Sequence, residues 1–165
     1  MKKLAIITAV LLSTFLMSCS VQGDDLDIPE DYNTTVENVE YSTLDYQIAE
    51  LINAYRISEG LTPLNILNAA SKEAISHNQY MVGQGAPSHD YFYVRSQNLK
   101  DAVNAKTVSE NVGYGFSSAA SLVNAWLNSE GHRENIENPD FTDFGISTKQ
   151  DAEGKHYFTN IFVKL

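Results

Sequence analysis

From Thr43 onward the apolar side chains recur with helical spacing: Leu44, Ile48, Leu51, Ile52 and Tyr55 follow i, i+4, i+7, i+8, i+11. Ser42 or Thr43 can cap the start of this helix, and Gly60 can end it in the left-handed conformation. A second helix is predicted from about Ala69 to Val82, with Ala70, Ala74, His77 and Met81 on one face. Gly83, Gly85 and Pro87 break it, leaving Ser88 and His89 in a loop. Residues 91–103 suit a short third helix, and Thr107 to Val112 a strand. Ser117 or Ser118 caps a further helix to about Ser129, which Gly131 ends, so that His132 and Arg133 fall just past it. The period then changes. Phe144–Thr148 and Tyr157–Val163 are β-rich runs around the turn-forming Asp151–Gly154, the pattern of an antiparallel hairpin. Helices early and a hairpin late make an α+β domain, a small antiparallel sheet flanked by helices.

Ahead of that domain the chain has another character. Lys2 and Lys3 precede an apolar run from Leu4 to Leu16 that is too short to span a bilayer comfortably. Leu16-Met17-Ser18-Cys19 resembles a bacterial lipobox, in which the cysteine becomes the first mature residue and carries acyl chains. The expected organisation is a signal peptide over 1–18, a tether over 19–42 and a folded domain over 43–165. The tether holds Asp24, Asp25, Asp27, Glu30, Asp31, Glu37 and Glu40 with no base among them, so it cannot build a core and repels itself. Such an acidic stretch resembles a surface-export signal of some outer-membrane lipoproteins; a solvated linker accounts for it equally well.

Composition narrows the function classes. The 165 residues are 43% hydrophobic and 19% charged, the make-up of one ordinary globular domain. With 21 acids against 11 bases, net −10, nucleic acid is a poor partner, since phosphate binding needs clustered Lys and Arg. The single cysteine excludes a disulfide framework and any Cys-based zinc site. A monomer attached to a bacterial membrane, outside the cytoplasm, is the expectation, the outer membrane first.

Several blocks, in order, resemble the CAP superfamily (cysteine-rich secretory proteins, antigen 5, pathogenesis-related 1) in its bacterial secreted branch. They are Leu51-Ile52-Asn53-Ala54-Tyr55-Arg56 with Gly60-Leu61-Thr62-Pro63-Leu64, then Ser88-His89, then Ser109-Glu110-Asn111-Val112. The longest runs from Trp126 through Glu130-Gly131-His132-Arg133 to Ile136, continuing to Asn138-Pro139 and Phe144-Gly145-Ile146, and Tyr157 to Phe162 closes the series. The resemblance implies an α-β-α sandwich with a central cleft lined by two histidines and two acids. The first His carries over to His89 and the first Glu to Glu110. Ser129 stands where the eukaryotic branch has its second Glu, and Tyr157 where it has its second His, so His132 is the natural second imidazole.

Two neutral imidazoles can hold a divalent ion, with a carboxylate orienting one ring. His89 and His132 are therefore candidate ligands for zinc or calcium, and Glu110, His89 and His132 candidate catalytic groups. Each has a plainer reading. His89 can be a loop histidine bonded to backbone, Glu110 a salt-bridged strand end, and His132 and Arg133 cations at a helix end. His77 reads as a satisfied core histidine, and Asn53, Arg56, Asn111 and Asn135 as side chains tying loops to backbone. No Gly-x-Ser-x-Gly elbow exists, and Ser88 beside His89 or Ser129 near His132 is adjacency, not geometry. Two functions follow. One is a tethered binding module whose cleft takes a small apolar or glycan ligand or a protein. The other is a metal-assisted hydrolase with His89 and His132 on the ion and Glu110 or Glu130 as general base.

Overall fold

The computed structural model describes Val36 and residues 38–165. The signal peptide, Cys19 and residues 20–35 and 37 of the tether lie outside the described residues. Helix α1 spans Thr43–Ser58 and α2 spans Asn68–Gln84, joined through the short strand β1, Asn65–Ile66. Helix α3 (Phe92–Val103), strand β2 (Thr107–Tyr114), helices α4 (Ala119–Leu127) and α5 (Glu130–Glu137), and strands β3 (Asp143–Gln150) and β4 (His156–Lys164) follow.

The start of α1 is fixed by a capping box. Ser42 Oγ accepts the Asp45 N–H at 3.1 Å, while the Asp45 carboxylate accepts the Ser42 N–H at 2.8 Å. Gly60, at φ +74°, turns the chain away after the helix. Ser118 Oγ caps α4 by accepting the Ser121 N–H at 3.2 Å.

The strands form one sheet in the order β1-β3-β4-β2. The expected hairpin is present, with Phe144 opposite Phe162 and Thr148 opposite Phe158. Two features differ from the sequence reading. β1 adds a two-residue parallel pairing, Asn65 with Asp143 and Ile66 with Phe144, so the sheet is not wholly antiparallel. Gly131 does not end a helix. It lies in the first turn of α5, a separate helix after Asn128 and Ser129, because a single glycine costs little where the helix has barely begun.

Alternation along β3 and β4 sorts the core into two layers. Phe144, Ile146, Phe158 and Phe162 face Ile48 and Ile52 of α1, Leu122, Val123 and Trp126 of α4 and Ile136 of α5. Ile161 and Val163 face Ala70 and Ala74 of α2 and Leu99 of α3. The result is an α-β-α sandwich. Helix α2 lies directly on the sheet at Gly145, where any Cβ would overlap the backbone at Ala70 and Ser71. Side-chain amides and one arginine bind the loops, as their types suggested. Asn53 exchanges hydrogen bonds with both backbone groups of Leu64, at 2.9 and 2.8 Å. The buried Arg56 donates to the carbonyls of Thr62, Ile136 and Asn138 at 2.6–3.0 Å.

Candidate functional site

The α2–α3 face of β2 carries the only charged residue of the strand, Glu110, and three elements converge on it. The loop after α2 supplies His89, whose Nδ1–H donates to Glu110 Oε1 at 2.8 Å. Helix α3 supplies Arg95, whose Nε and Nη2 grip Oε2 and Oε1 in a two-pronged pair, both at 2.7 Å. Arg95 Nη1 also donates to the Asp90 carbonyl at 2.7 Å, fixing the loop that bears His89. Helix α2 supplies His77, wholly buried, with Nε2 donating to the Ser88 carbonyl at 2.8 Å and lying 3.9 Å from Glu110 Oε1. Its Nδ1 has no partner among the described residues.

Helix α5 closes the assembly from the side. β2 is an edge strand, and the Glu110 and Val112 carbonyls that point off that edge are taken by Asn135 Nδ2 at 3.3 Å and Trp126 Nε1 at 2.9 Å. Asn135 also donates to Asn111 Oδ1 at 2.8 Å, and Asn111 Nδ2 donates to the His132 carbonyl at 3.0 Å. These bonds set the half-buried His132 in the first turn of α5, within electrostatic range of His89. The helix-end reading of His132 and Arg133 is thereby reversed: they begin a helix rather than follow one. Arg133 packs back on the Leu127 carbonyl at 3.3 Å and reaches Glu137 at 3.8 Å.

The charges are settled by these contacts. Burial alone would raise the Glu110 carboxyl, but the His89 hydrogen bond and the Arg95 guanidinium outweigh it and hold it below the usual range. Burial, helped by the Arg95 charge, pushes His77 down to about 4, so it is neutral at pH 7. His132 is lowered by burial and then by the neighbouring His89. His89 meets Glu110 through Nδ1, which leaves Nε2 as the other ring nitrogen of a side chain 55% exposed.

Of the residues singled out in the sequence, the fold brings together His89, Glu110 and His132. Glu130 is exposed at the start of α5, and Ser129 caps that helix without a side-chain bond. Ser88 Oγ accepts the Asp90 N–H at 3.3 Å and serves the loop rather than His89. Tyr157, buried on β4, packs against Tyr114 with ring centroids 4.7 Å apart and the rings tilted by 53°. Sequence reasoning missed Arg95 and left His77 in the core. Arg95 was findable, because it shares a helix face with Leu99, where a charge has no reason to sit without a buried partner.

A tight zinc or calcium centre does not fit these residues. Both Glu110 oxygens are engaged by Arg95, leaving two imidazoles and no carboxylate to complete a ligand set. Among the described residues no group of three or more His, Cys, Asp and Glu side chains gathers as metal ligands would.

Comparison with known proteins matches residues 49–163 to the model of the cysteine-rich secretory protein (CAP) family. The chain belongs to this family. It is 35% identical over 116 residues to the uncharacterized protein YkwD of Bacillus subtilis, a match covering 68% of this chain and 45% of that protein. It is 29% identical over 126 residues to the uncharacterized membrane protein YlbC of the same organism, covering 74% and 35%. The CAP chain thus spans less than half the length of either relative. Among solved structures it resembles an outer surface protein from Borrelia burgdorferi, with TM-score 0.67, 23% identity, and coverage of 76% of this chain and 96% of that one. A cysteine-rich secretory protein from Staphylococcus aureus gives TM-score 0.61 at 27% identity, covering 80% and 44%. These likenesses, with the described layers, establish the CAP sandwich.

Proposed function

We propose that this CAP chain is an envelope lipoprotein, anchored through Cys19 and held off the membrane by its acidic tether, whose domain binds a ligand as a monomer. The binding site is the cleft that the family resemblance implies beside His89 and His132, and it takes a small glycan or apolar ligand or a protein partner. The observation that carries this reading is the occupation of Glu110. A carboxylate gripped on both oxygens by Arg95, and held below its ordinary range, is a poor proton acceptor, so it serves as an anchor that orients His89. His89 Nε2 and the His132 ring then form a fixed polar rim, suited to hydrogen bonds with sugar hydroxyls. A Borrelia relative described as an outer surface protein supports an extracytoplasmic site of action. Among the described residues no helix is long and apolar enough to cross a membrane.

Two experiments test this. Calorimetric titration of the mature chain with a chitin oligosaccharide, a peptidoglycan fragment and oleate should find one saturable ligand whose affinity falls about tenfold in His89→Ala. Hydrolysis of a peptide or ester that disappears in Glu110→Gln while affinity stays unchanged would replace the binder with a hydrolase. Radiolabelled palmitate should enter the wild-type chain in the cell and not Cys19→Ala. Equal labelling would remove the anchor.

A further inference from the structure

A second site lies at the opposite edge of the sheet. β1 covers β3 only at Asp143 and Phe144, so β3 runs on from Gly145 to Gln150 as an outer strand. Its edge-facing backbone groups fall on alternate residues. The Phe144 carbonyl is taken by Leu67 N–H at 2.8 Å, and the Ile146 N–H by Ser71 Oγ at 3.2 Å, with Tyr41 bonded to the same hydroxyl at 2.9 Å. Thr148 is the next residue on this edge. A cavity of about 460 Å³ opens there between the chain before α1, the starts of α1 and β3's free edge, and the α2 side chains Ile75 and Gln79.

The cavity is built for a donor. Asp45 is 4% exposed, and its Oδ2 is spent on the Ser42 N–H and hydroxyl at 2.8 and 2.7 Å. Its Oδ1 is buried and has no hydrogen-bond partner among the described residues, and neither has the buried Thr148 Oγ1; both residues line the cavity. A buried carboxylate oxygen left unpaired costs free energy that a bound donor recovers. Glu40 and Asp45 outnumber Lys149 in the lining, so a cation is favoured. The chain's own tether is an unsuitable occupant, since residues 19–42 hold acids and no base.

We propose that this edge docks an extended, lysine- or arginine-bearing segment of a partner protein. Its backbone pairs with β3 at Thr148, and its cationic side chain reaches Asp45 Oδ1, in the manner of strand addition. This site is separate from the His89 cleft and does not depend on what that cleft binds.

The test is fluorescence anisotropy of the mature chain with labelled, capped heptapeptides of alternating valine and threonine. One has a central lysine, one a central glutamate, and a third is the lysine peptide N-methylated at alternate backbone amides. The lysine peptide should bind saturably. The glutamate peptide, and the lysine peptide on Asp45→Asn, should bind about tenfold more weakly or worse, the scale of one lost charge-assisted contact. Thr148→Val, which keeps the strand's β-branched shape, should weaken binding severalfold and guards against an Asp45 variant that fails to fold. Equal affinity for lysine and glutamate peptides, or indifference to both substitutions, overturns the proposal. Undiminished binding of the N-methylated peptide overturns strand addition.

Discussion

The two edges of this sheet handle polar groups in opposite ways. At the β2 edge the strand's own groups at the site are spoken for, although His77 Nδ1 behind them is left unpaired among the described residues: Asn135 and Trp126 take the Glu110 and Val112 carbonyls, and Arg95 and His89 take the Glu110 carboxylate. At the β3 edge Ser71 takes the Ile146 N–H, but Asp45 Oδ1 and Thr148 Oγ1 stay buried without partners among the described residues. Satisfied polar networks rigidify, and unsatisfied ones invite a ligand. The first edge therefore reads as a frame that aims His89, and the second as a surface that is incomplete by itself. The contrast makes unequal demands on stability.

The hardest way to break it is at Arg95. Arg95→Met keeps the bulk and removes the guanidinium, leaving Glu110 as a buried charge with only His89 to hold it. Losing one member of a buried pair costs about 3–5 kcal/mol, which urea unfolding should register as a large drop in midpoint. A cost below about 1 kcal/mol would mean that Glu110 is solvated without Arg95 and that the frame is not rigid.

Next comes acid. His77 has its folded-state value depressed from 6.5 to about 4, so between those values the unfolded chain binds a proton that the folded chain refuses. Stability should therefore fall as pH drops from about 6.5 toward 4, by roughly 3 kcal/mol for this residue, and level off below. Glu110, also lowered, adds a further loss as pH falls from 4.5 through its folded value. Unfolding followed from pH 7.5 to 4 in wild type and His77→Gln checks this. The slope above pH 4.5 should flatten in the variant, and an unchanged slope would place the titration elsewhere.

Asn135→Ala acts on the closure rather than on the charges. It removes donors to the Glu110 carbonyl and Asn111, at an expected cost of about 1–2 kcal/mol. Amide exchange should speed up first in α5 and at Glu110, ahead of β4. Uniform acceleration across the sheet would show that α5 is not a separately held flap over the edge.

How much of this was legible beforehand follows from the range of the interactions. α1, its Ser42 cap and the Gly60 turn are local events, and so is the hairpin around Asp151–Gly154; period and turn chemistry describe them well. β1 is two residues long and exists because Phe144 lies beside it, which no local pattern contains. α5 goes unread, its residues placed past the end of α4, since Gly131 looks like a terminator until the chain is seen to restart at Ser129. In the site, His89, Glu110 and His132 were found through a family resemblance, not through spacing. Arg95 is passed over, and His77 is read only as the buried core histidine that it is, because their place beside Glu110 arises only when α2 and α3 lie against the same strand. Asp45 shows the same limit: the capping box accounts for its Oδ2, and nothing local says that its other oxygen is left over.

That leftover oxygen supplies the smallest effect and the sharpest comparison. Asp45→Asn removes a buried negative charge, as the Arg95 substitution strands one, yet Asn keeps an oxygen that can accept the Ser42 N–H and hold the cap. The lost contribution is the carboxylate's interaction with the N-terminus of α1, so stability should change by less than about 1 kcal/mol. The same thermal or urea measurement made for Arg95 checks it directly. A near-neutral Asp45→Asn beside a crippling Arg95→Met would mean that the two edges differ in kind: one carboxylate sustains the fold, and the other is kept at little benefit to it. A loss above about 2 kcal/mol would instead show Asp45 to be paired within the folded chain, and the difference between the edges would disappear.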